Sequence, residues 1–226
     1  MASPVITKEV LGFLRALKKN NNREWFSAHK ADFQHVQATV KTFYQGLQDA
    51  LNTHDEIDKH KLFRIYRDVR FSADKTPYKP HFAGSYSRAG AARRGGYYIR
   101  LRPGESFIAT GFWEPNKDDL FRIRKELEMD ATEFRKVIGN KAFKKVWGEL
   151  MGDEVKTAPK GFDRNHPNID LIRKKGFIFV RNFTDTEVTH PDFLNTVNDS
   201  FKAIRPYFDL MSDILTTNLN GESLLD

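Results

Sequence analysis

The chain has 226 residues, 39% hydrophobic and 30% charged, a composition typical of one large globular domain. It contains no cysteine, which excludes disulfides and thiolate metal sites and is expected in a reducing compartment. No apolar run approaches the ~20 residues of a membrane span, and the first residues lack the basic and apolar regions of a signal peptide. The sequence therefore predicts a single-domain cytoplasmic protein, 1–226, without a membrane contact and with a frayed tail over 217–226.

The net charge of +7 is concentrated in one segment, residues 61–102. This segment holds eleven basic and two acidic residues, whereas the rest of the chain holds 26 basic and 28 acidic residues. A basic segment on a near-neutral body favours an anionic partner.

Two helices are predicted at the start of the chain. Thr7 can cap a first helix that runs to Lys19 with its apolar residues on one face. After three consecutive asparagines, Asn22 can cap a second helix. Its apolar residues recur in steps of three, four and seven as far as Leu51, which predicts one long helix.

The strands are predicted in the middle of the chain. Residues 54–61 are polar and predict a linker, and the Gly- and Arg-rich stretch 87–96 predicts a mobile loop. Residues 97–102 alternate between apolar and polar, and a Pro-Gly turn leads to a returning strand over 106–112. An apolar run at 177–183 predicts a third, buried strand.

The remaining periodic stretches predict helices after residue 116, around residues 131–150, and from about residue 191 to Pro206, which should kink or end the last of them. Strands joined by a tight turn and flanked by helices do not alternate as β-α-β units would. The pattern therefore predicts an α+β fold: a central antiparallel sheet with helices packed mainly on one face.

The basic segment contains the strongest candidate for a functional site. Arg64, Arg67 and Arg70 are spaced three apart around one carboxylate, Asp68, so their guanidinium groups repel unless an anion or distant carboxylates compensate them. His81 follows closely, and either Asp68 or His81 could act as an acid or base. The candidate ligand-binding residues are Arg64, Arg67, Arg70, Lys75, Tyr78, Lys79, Arg100 and Arg102.

Other catalytic and metal-binding patterns are missing from the sequence. The seven histidines form no pair four residues apart and no His-Glu-x-x-His motif, so no metal site is predicted. There is no Gly-x-Ser-x-Gly motif, and the glycines of 90–96 lack the Gly-Lys-Ser/Thr ending of a phosphate loop. The sequence indicates no particular cofactor.

Several separated motifs identify a family resemblance. They are residues 13–17 with 21–26, the Arg-rich motif from Arg64 to Lys79, Gly111-Phe112-Trp113, and Pro159 to Phe162 with His166-Pro167. Together they make the chain resemble the domain of unknown function 2461 family of conserved hypothetical proteins. That resemblance covers most of the chain and implies no activity.

Three functions remain open from the residues alone. The first is a module that binds a phosphate- or carboxylate-bearing small molecule, and it is an enzyme if Asp68 or His81 acts as an acid or base on that ligand. The second is a nucleic-acid binder that uses the whole 61–102 segment as an open groove. The third is a structural or interaction domain in which the arginines are paired internally, for example with distant carboxylates. The positions of the eleven basic side chains distinguish these functions.

Overall fold

The computed structural model describes residues 4–70 and 73–225. Within these residues the chain forms ten helices and five strands. The helices are α1 (Lys8–Lys19), α2 (Arg23–Ala28), α3 (Lys30–Leu51), α4 (Lys117–Met129), α5 (Thr132–Gly139), α6 (Lys141–Trp147), α7 (Ile169–Ile172), α8 (Asp185–Val188), α9 (Phe193–Ala203) and α10 (Arg205–Thr216). The strands are β1 (Ile57–Leu62), β2 (Phe82–Arg88), β3 (Gly96–Leu101), β4 (Ser106–Phe112) and β5 (Phe177–Phe183).

The predicted α+β fold with an antiparallel sheet is confirmed. The five strands pair in the order β1-β2-β3-β4-β5, so each strand is hydrogen-bonded to its neighbours along the chain. The predicted strands 97–102, 106–112 and 177–183 correspond to β3, β4 and β5. Among the described residues, no helix is both long enough and apolar enough to cross a membrane.

The predicted linker over 54–61 is wrong, because most of this stretch belongs to β1. The strand lies at an edge of the sheet. Along it only Ile57 is buried, while the charged residues after it face solvent. An edge strand tolerates polar residues on its open side, so the stretch lacks the apolar alternation that identifies a strand in a sequence.

The predicted second helix consists of two helices. Asn22 caps α2 by accepting a hydrogen bond from the backbone N–H of Trp25. His29 then leaves the helical conformation and separates α2 from α3. Its ring stacks on Trp25, with the ring centroids 4.0 Å apart, and its Nδ1 lies 2.8 Å from the Trp25 carbonyl oxygen. The apolar periodicity continues across the break, which explains why it predicts a single helix.

The described chain divides into two compact units, and the predicted single domain stays a prediction. The first unit consists of the described residues of Met1–Tyr86, Tyr98–Ile108 and Asn182–Asp199. In its core, the buried Tyr44 of α3 donates a hydrogen bond to the carbonyl oxygen of Ile99 in β3, and Tyr86 of β2 donates one to the Tyr44 carbonyl oxygen. This helix therefore packs on the face of β3 that carries Ile99.

The second unit consists of Ser87–Tyr97, Ala109–Arg181 and the described residues of Ser200–Asp226. Its core is aromatic and centres on α10. Tyr207 of α10 donates a hydrogen bond to the Phe177 carbonyl oxygen, and Phe208 packs edge-on against Tyr97 of β3. The prediction that Pro206 ends a helix is correct, since α9 stops at Ala203 and α10 begins at Arg205 with the proline in its first turn.

Candidate anion-binding site

Residues 65–67 and 77–79 of the Arg-rich motif pair as the two arms of a short irregular hairpin in the first unit. Tyr66 and Tyr78 form an antiparallel bridge. On either side of it, the Arg67 N–H donates to the Pro77 carbonyl oxygen at 2.9 Å, and the Lys79 N–H donates to the Ile65 carbonyl oxygen at 2.7 Å. Because successive side chains of extended chain alternate, Arg67 and Lys79 lie on the face opposite the two tyrosines.

The beginning of α2 holds this hairpin in place. The Asn21 side chain donates to the Tyr78 carbonyl oxygen at 2.9 Å and accepts from the Tyr78 N–H at 3.1 Å. Phe26 stacks on the buried Tyr78 ring, with the centroids 4.0 Å apart. Tyr78, predicted as a ligand-binding residue, is therefore an anchor of the hairpin.

The charges of four basic side chains act on His81, which follows the hairpin in the chain and directly precedes β2. They are Arg67 and Lys79 from the hairpin and Arg100 and Arg102 from the end of β3. Burial is the largest cause that lowers the pKa of His81, and the four positive charges lower it further, to about 4. We call these five residues the His81 cluster.

The carboxylates near this cluster are fewer than its cations. Arg102 and Arg100 share the carboxylate of Glu105 at 3.2 and 3.7 Å, and Arg67 pairs with Asp74 at 2.9 Å. Lys79 contacts no carboxylate among the described residues, 4–70 and 73–225. Within the described part of the chain, four cations thus face two carboxylates, and the excess positive charge is not compensated.

Several hydrogen-bonding atoms of the cluster are also unsatisfied. The Nε atoms of Arg67, Arg100 and Arg102 and the Nδ1 atom of His81 are buried and have no hydrogen-bond partner in the described residues. A buried polar group without a partner typically costs about 1–3 kcal/mol. Three of these atoms are guanidinium donors, which suit the oxygens of an anion.

Arg102 also lines a cavity of about 290 Å³ in the first unit. Arg15 and Lys18 of α1 and Asp185 line the same cavity, so these three residues add one net positive charge beside the cluster. Asp185, the acidic residue of the lining, is already paired with Arg15 and accepts a hydrogen bond from the Gly104 N–H at 2.8 Å. Sequence reasoning missed Arg15 and Lys18, because nothing in their helical spacing distinguishes them from an ordinary solvated helix face.

The other predicted site residues are not among the charges that act on His81. Asp68 pairs with Arg70 at 2.7 Å, and both side chains are exposed. Hydrogen bonds from Arg70 lower the pKa of Asp68, which keeps it ionised and unsuited to acid catalysis. The Lys75 ammonium donates to the Val69 carbonyl oxygen at 2.9 Å, and Arg64 is exposed.

Two arginines of the basic segment have structural roles in the second unit. Arg88 is buried, donates to the Arg94 carbonyl oxygen at 2.8 Å and lies 3.7 Å from the Asp209 carboxylate. Arg94 pairs with Asp119. These contacts tie both ends of the predicted loop 87–96 to helices, although the loop's mobility itself stays a prediction.

The fold and the site define a class of protein: an α+β protein with a cationic cluster at the end of a sheet strand. A family model described as conserved hypothetical protein, domain of unknown function 2461, matches residues 9–210. The chain therefore belongs to this family, as the resemblance implied. Searches among curated proteins and among solved structures found no match.

Among the described residues, no group of three or more His, Asp or Glu side chains is arranged to hold a metal ion.

Proposed function

We propose that this protein binds a small anionic molecule, one that bears a phosphate or a carboxylate, at the His81 cluster. The observation that carries the proposal is the charge imbalance around His81: four cations against two carboxylates, with three buried guanidinium Nε atoms that lack partners. An anion at this position supplies both the missing charge and the missing acceptors.

The arginines suit this role better than lysines alone would. A guanidinium presents its donors in a rigid fork, so Nε and one Nη can bind two oxygens of the same phosphate or carboxylate. Arg100 lies in β3 and Arg102 directly follows its last residue, Leu101. Both contact the Glu105 carboxylate, so the two guanidinium groups can approach one ligand from the same side. Lys79 adds a positive charge on a flexible side chain, so its ammonium group can adjust to the position of the ligand.

His81 is the candidate acid-base group of the site. With a pKa near 4 it is neutral at pH 7 in the free protein. A bound anion favours the charged imidazolium and raises this pKa, so His81 could exchange a proton with the ligand. Any catalytic step would therefore depend on His81 and not on Asp68, which is exposed and paired with Arg70.

The nucleic-acid alternative required the basic residues of 61–102 to lie along one open groove. Arg88 is buried and Arg94 is paired with Asp119, so neither side chain is available for a phosphate backbone. The compact cluster around His81 favours a single anionic group over a long polyanion.

Thermal unfolding in the presence of anions tests the proposal. A ligand at 100 times its Kd stabilises the folded state by about 2.7 kcal/mol. We expect inorganic phosphate to raise Tm more than sodium chloride of equal ionic strength does. If phosphate, sulfate, citrate and succinate all act no better than chloride, the proposal is wrong.

A lysine substitution separates this proposal from a structural role. Lys79→Met removes a charge that has no carboxylate partner in the described residues, so the variant should unfold at the same or a higher temperature without ligand, and phosphate should stabilise it less. The matched control is Arg135→Met, which removes a cation paired with Asp170 at 2.7 Å in the second unit and should keep the full response to phosphate. Equal phosphate responses in all three proteins would contradict the site.

A further inference from the structure

Three aromatic rings form a row in the first unit, on the less buried face of β3 and β4. The Tyr98 ring of β3 has an aromatic neighbour on each side. Its centroid lies 6.4 Å from that of Phe63, which follows β1, and 5.6 Å from that of Phe107 in β4. All three side chains are half-buried, whereas Ile99 and Ile108 beside them in sequence are buried in the core. We call Phe63, Tyr98 and Phe107 the aromatic row.

Arg100 connects the aromatic row to the His81 cluster. Its guanidinium carbon lies 4.4 Å from the centroid of the Phe107 ring. The same side chain is one of the four cations around His81, and its charge also acts on the Tyr98 hydroxyl. A ligand whose anionic group is held by Arg100 therefore has aromatic surface directly beside it.

The other end of the row is also positively charged. The Lys61 ammonium lies 5.7 Å from the centroid of the Phe63 ring. Aromatic side chains interleaved with cations on an antiparallel sheet suit a planar ring joined to a phosphate, because the ring stacks while the cations hold the charge. A sugar phosphate that carries no heteroaromatic base would leave the aromatic row uncovered.

We infer that the anionic ligand is a nucleotide, with its phosphate in the His81 cluster and its base against the aromatic row. The inference rests on the proposed function, since it assigns the phosphate to the same cluster. It adds a second subsite, formed by Phe63, Tyr98 and Phe107, that selects for a planar heteroaromatic base.

Competition between matched ligands tests the second subsite without any mutation. Isothermal titration calorimetry would compare 5′-AMP, ribose 5-phosphate and inorganic phosphate at the same ionic strength. We expect 5′-AMP to bind more tightly than ribose 5-phosphate by on the order of tenfold, which is the size of one stacking interaction. If phosphate and ribose 5-phosphate bind and 5′-AMP binds no more tightly, the nucleotide inference is wrong while the proposed anion site stands. If none of the three binds, both are wrong.

Two substitutions locate the base. Tyr98→Leu and Phe107→Leu each remove a ring while keeping an apolar side chain, so each should remove most of the preference for 5′-AMP over ribose 5-phosphate. The ratio of the two affinities is the readout, because Phe107→Leu also removes the ring that lies beside the Arg100 guanidinium and can change phosphate affinity itself. Phe121→Leu is the control, because Phe121 is an exposed ring on α4 in the second unit. If a folded Tyr98→Leu or Phe107→Leu variant keeps the full preference for 5′-AMP over ribose 5-phosphate, the assignment of the base to the aromatic row is wrong.

The nucleotide could be free or part of a single strand, and a salt series separates the two sources. A free nucleotide predicts that 5′-TMP and a single-stranded thymidine pentanucleotide bind with similar affinity. If the ligand is part of a single-stranded nucleic acid, the pentanucleotide should bind much more tightly than 5′-TMP, with a salt dependence that grows with the number of phosphates contacted. Similar affinities support a free nucleotide, in line with the compact cluster, whereas much tighter binding of the pentanucleotide would contradict the small-molecule ligand of the proposed function. Failure of both ligands to exceed inorganic phosphate overturns the nucleotide inference.

Discussion

Acid should destabilise this protein through His81. The pKa of this imidazole falls from 6.5 to about 4 on folding, chiefly because the ring is buried and next because Arg100, Arg102, Lys79 and Arg67 surround it. Between these two pH values the unfolded chain binds a proton that the folded chain does not. The free energy of unfolding is therefore unaffected by His81 above pH 6.5, falls as the pH drops towards 4, and reaches its full loss below that value.

The size of this effect follows from the gap between the two pKa values. At 1.36 kcal/mol per pKa unit, the gap sets an upper limit of about 3 kcal/mol. The ring is partly exposed, so screening by solvent reduces the expected loss to about 1–2 kcal/mol. Over the same pH range the Asp and Glu residues titrate as well, so the contribution of His81 has to be measured as a difference between two proteins.

Urea unfolding at pH 7.5, 6.5, 5.5 and 4.5 provides that difference. His81→Gln has a side chain that cannot be charged, so its stability should fall less between pH 6.5 and 4.5 than that of the wild type. Phosphate, by favouring the imidazolium, should reduce the loss in the wild type and have little effect on the slope of the variant. Parallel pH profiles for the two proteins would refute the depressed pKa and with it the crowding of cations around His81.

Three further changes test other parts of the structure by urea unfolding. Gly84→Ala should cost about 1–3 kcal/mol, because the new methyl group would lie 2.4 Å from Cε1 of the buried Tyr44 ring; wild-type stability would contradict this packing. Asn21→Ala should lower the free energy of unfolding by about 1–3 kcal/mol, because it leaves the Tyr78 backbone groups unpaired, and it should also weaken phosphate binding. Unchanged phosphate binding would mean that the hairpin does not contribute to the site. Trp113→Ala should change stability by about 0.5 kcal/mol or less, since that side chain is 67% exposed, and a larger loss would mean that it is packed.

Local patterns in the sequence predicted much of the sheet. The alternation over 97–102 and the Pro-Gly turn before 106–112 are properties of neighbouring residues, and the structure shows the hairpin they predict. The edge strand β1 was missed, because an edge strand carries polar residues and lacks that alternation. Local patterns also do not indicate that the indole of Trp113 is exposed, two residues after Gly111, where φ is 111°.

The composition of the candidate site could be predicted from the sequence only in part. The charge imbalance of residues 61–102 pointed to the segment that contains the His81 cluster, and Arg67, Lys79, His81, Arg100 and Arg102 were among the predicted residues. Their grouping depends on how the hairpin folds against the end of β3, which residue spacing does not encode. Arg64, Arg70 and Lys75 looked equivalent to Arg67 in the sequence, yet Arg70 pairs locally with Asp68 and Lys75 with a backbone carbonyl.

The imidazole resonances of His81 give the most direct test of the anion site. ¹H–¹⁵N spectra of the histidine rings, with the His81 signals assigned by their loss in His81→Gln, would be followed against pH with and without inorganic phosphate. We expect phosphate to shift the His81 signals and to raise its pKa from about 4 towards 6.5, while the pKa values of the other six histidines change little. A His81 pKa that stays unchanged at saturating phosphate would contradict the proposal that this cluster binds the anion.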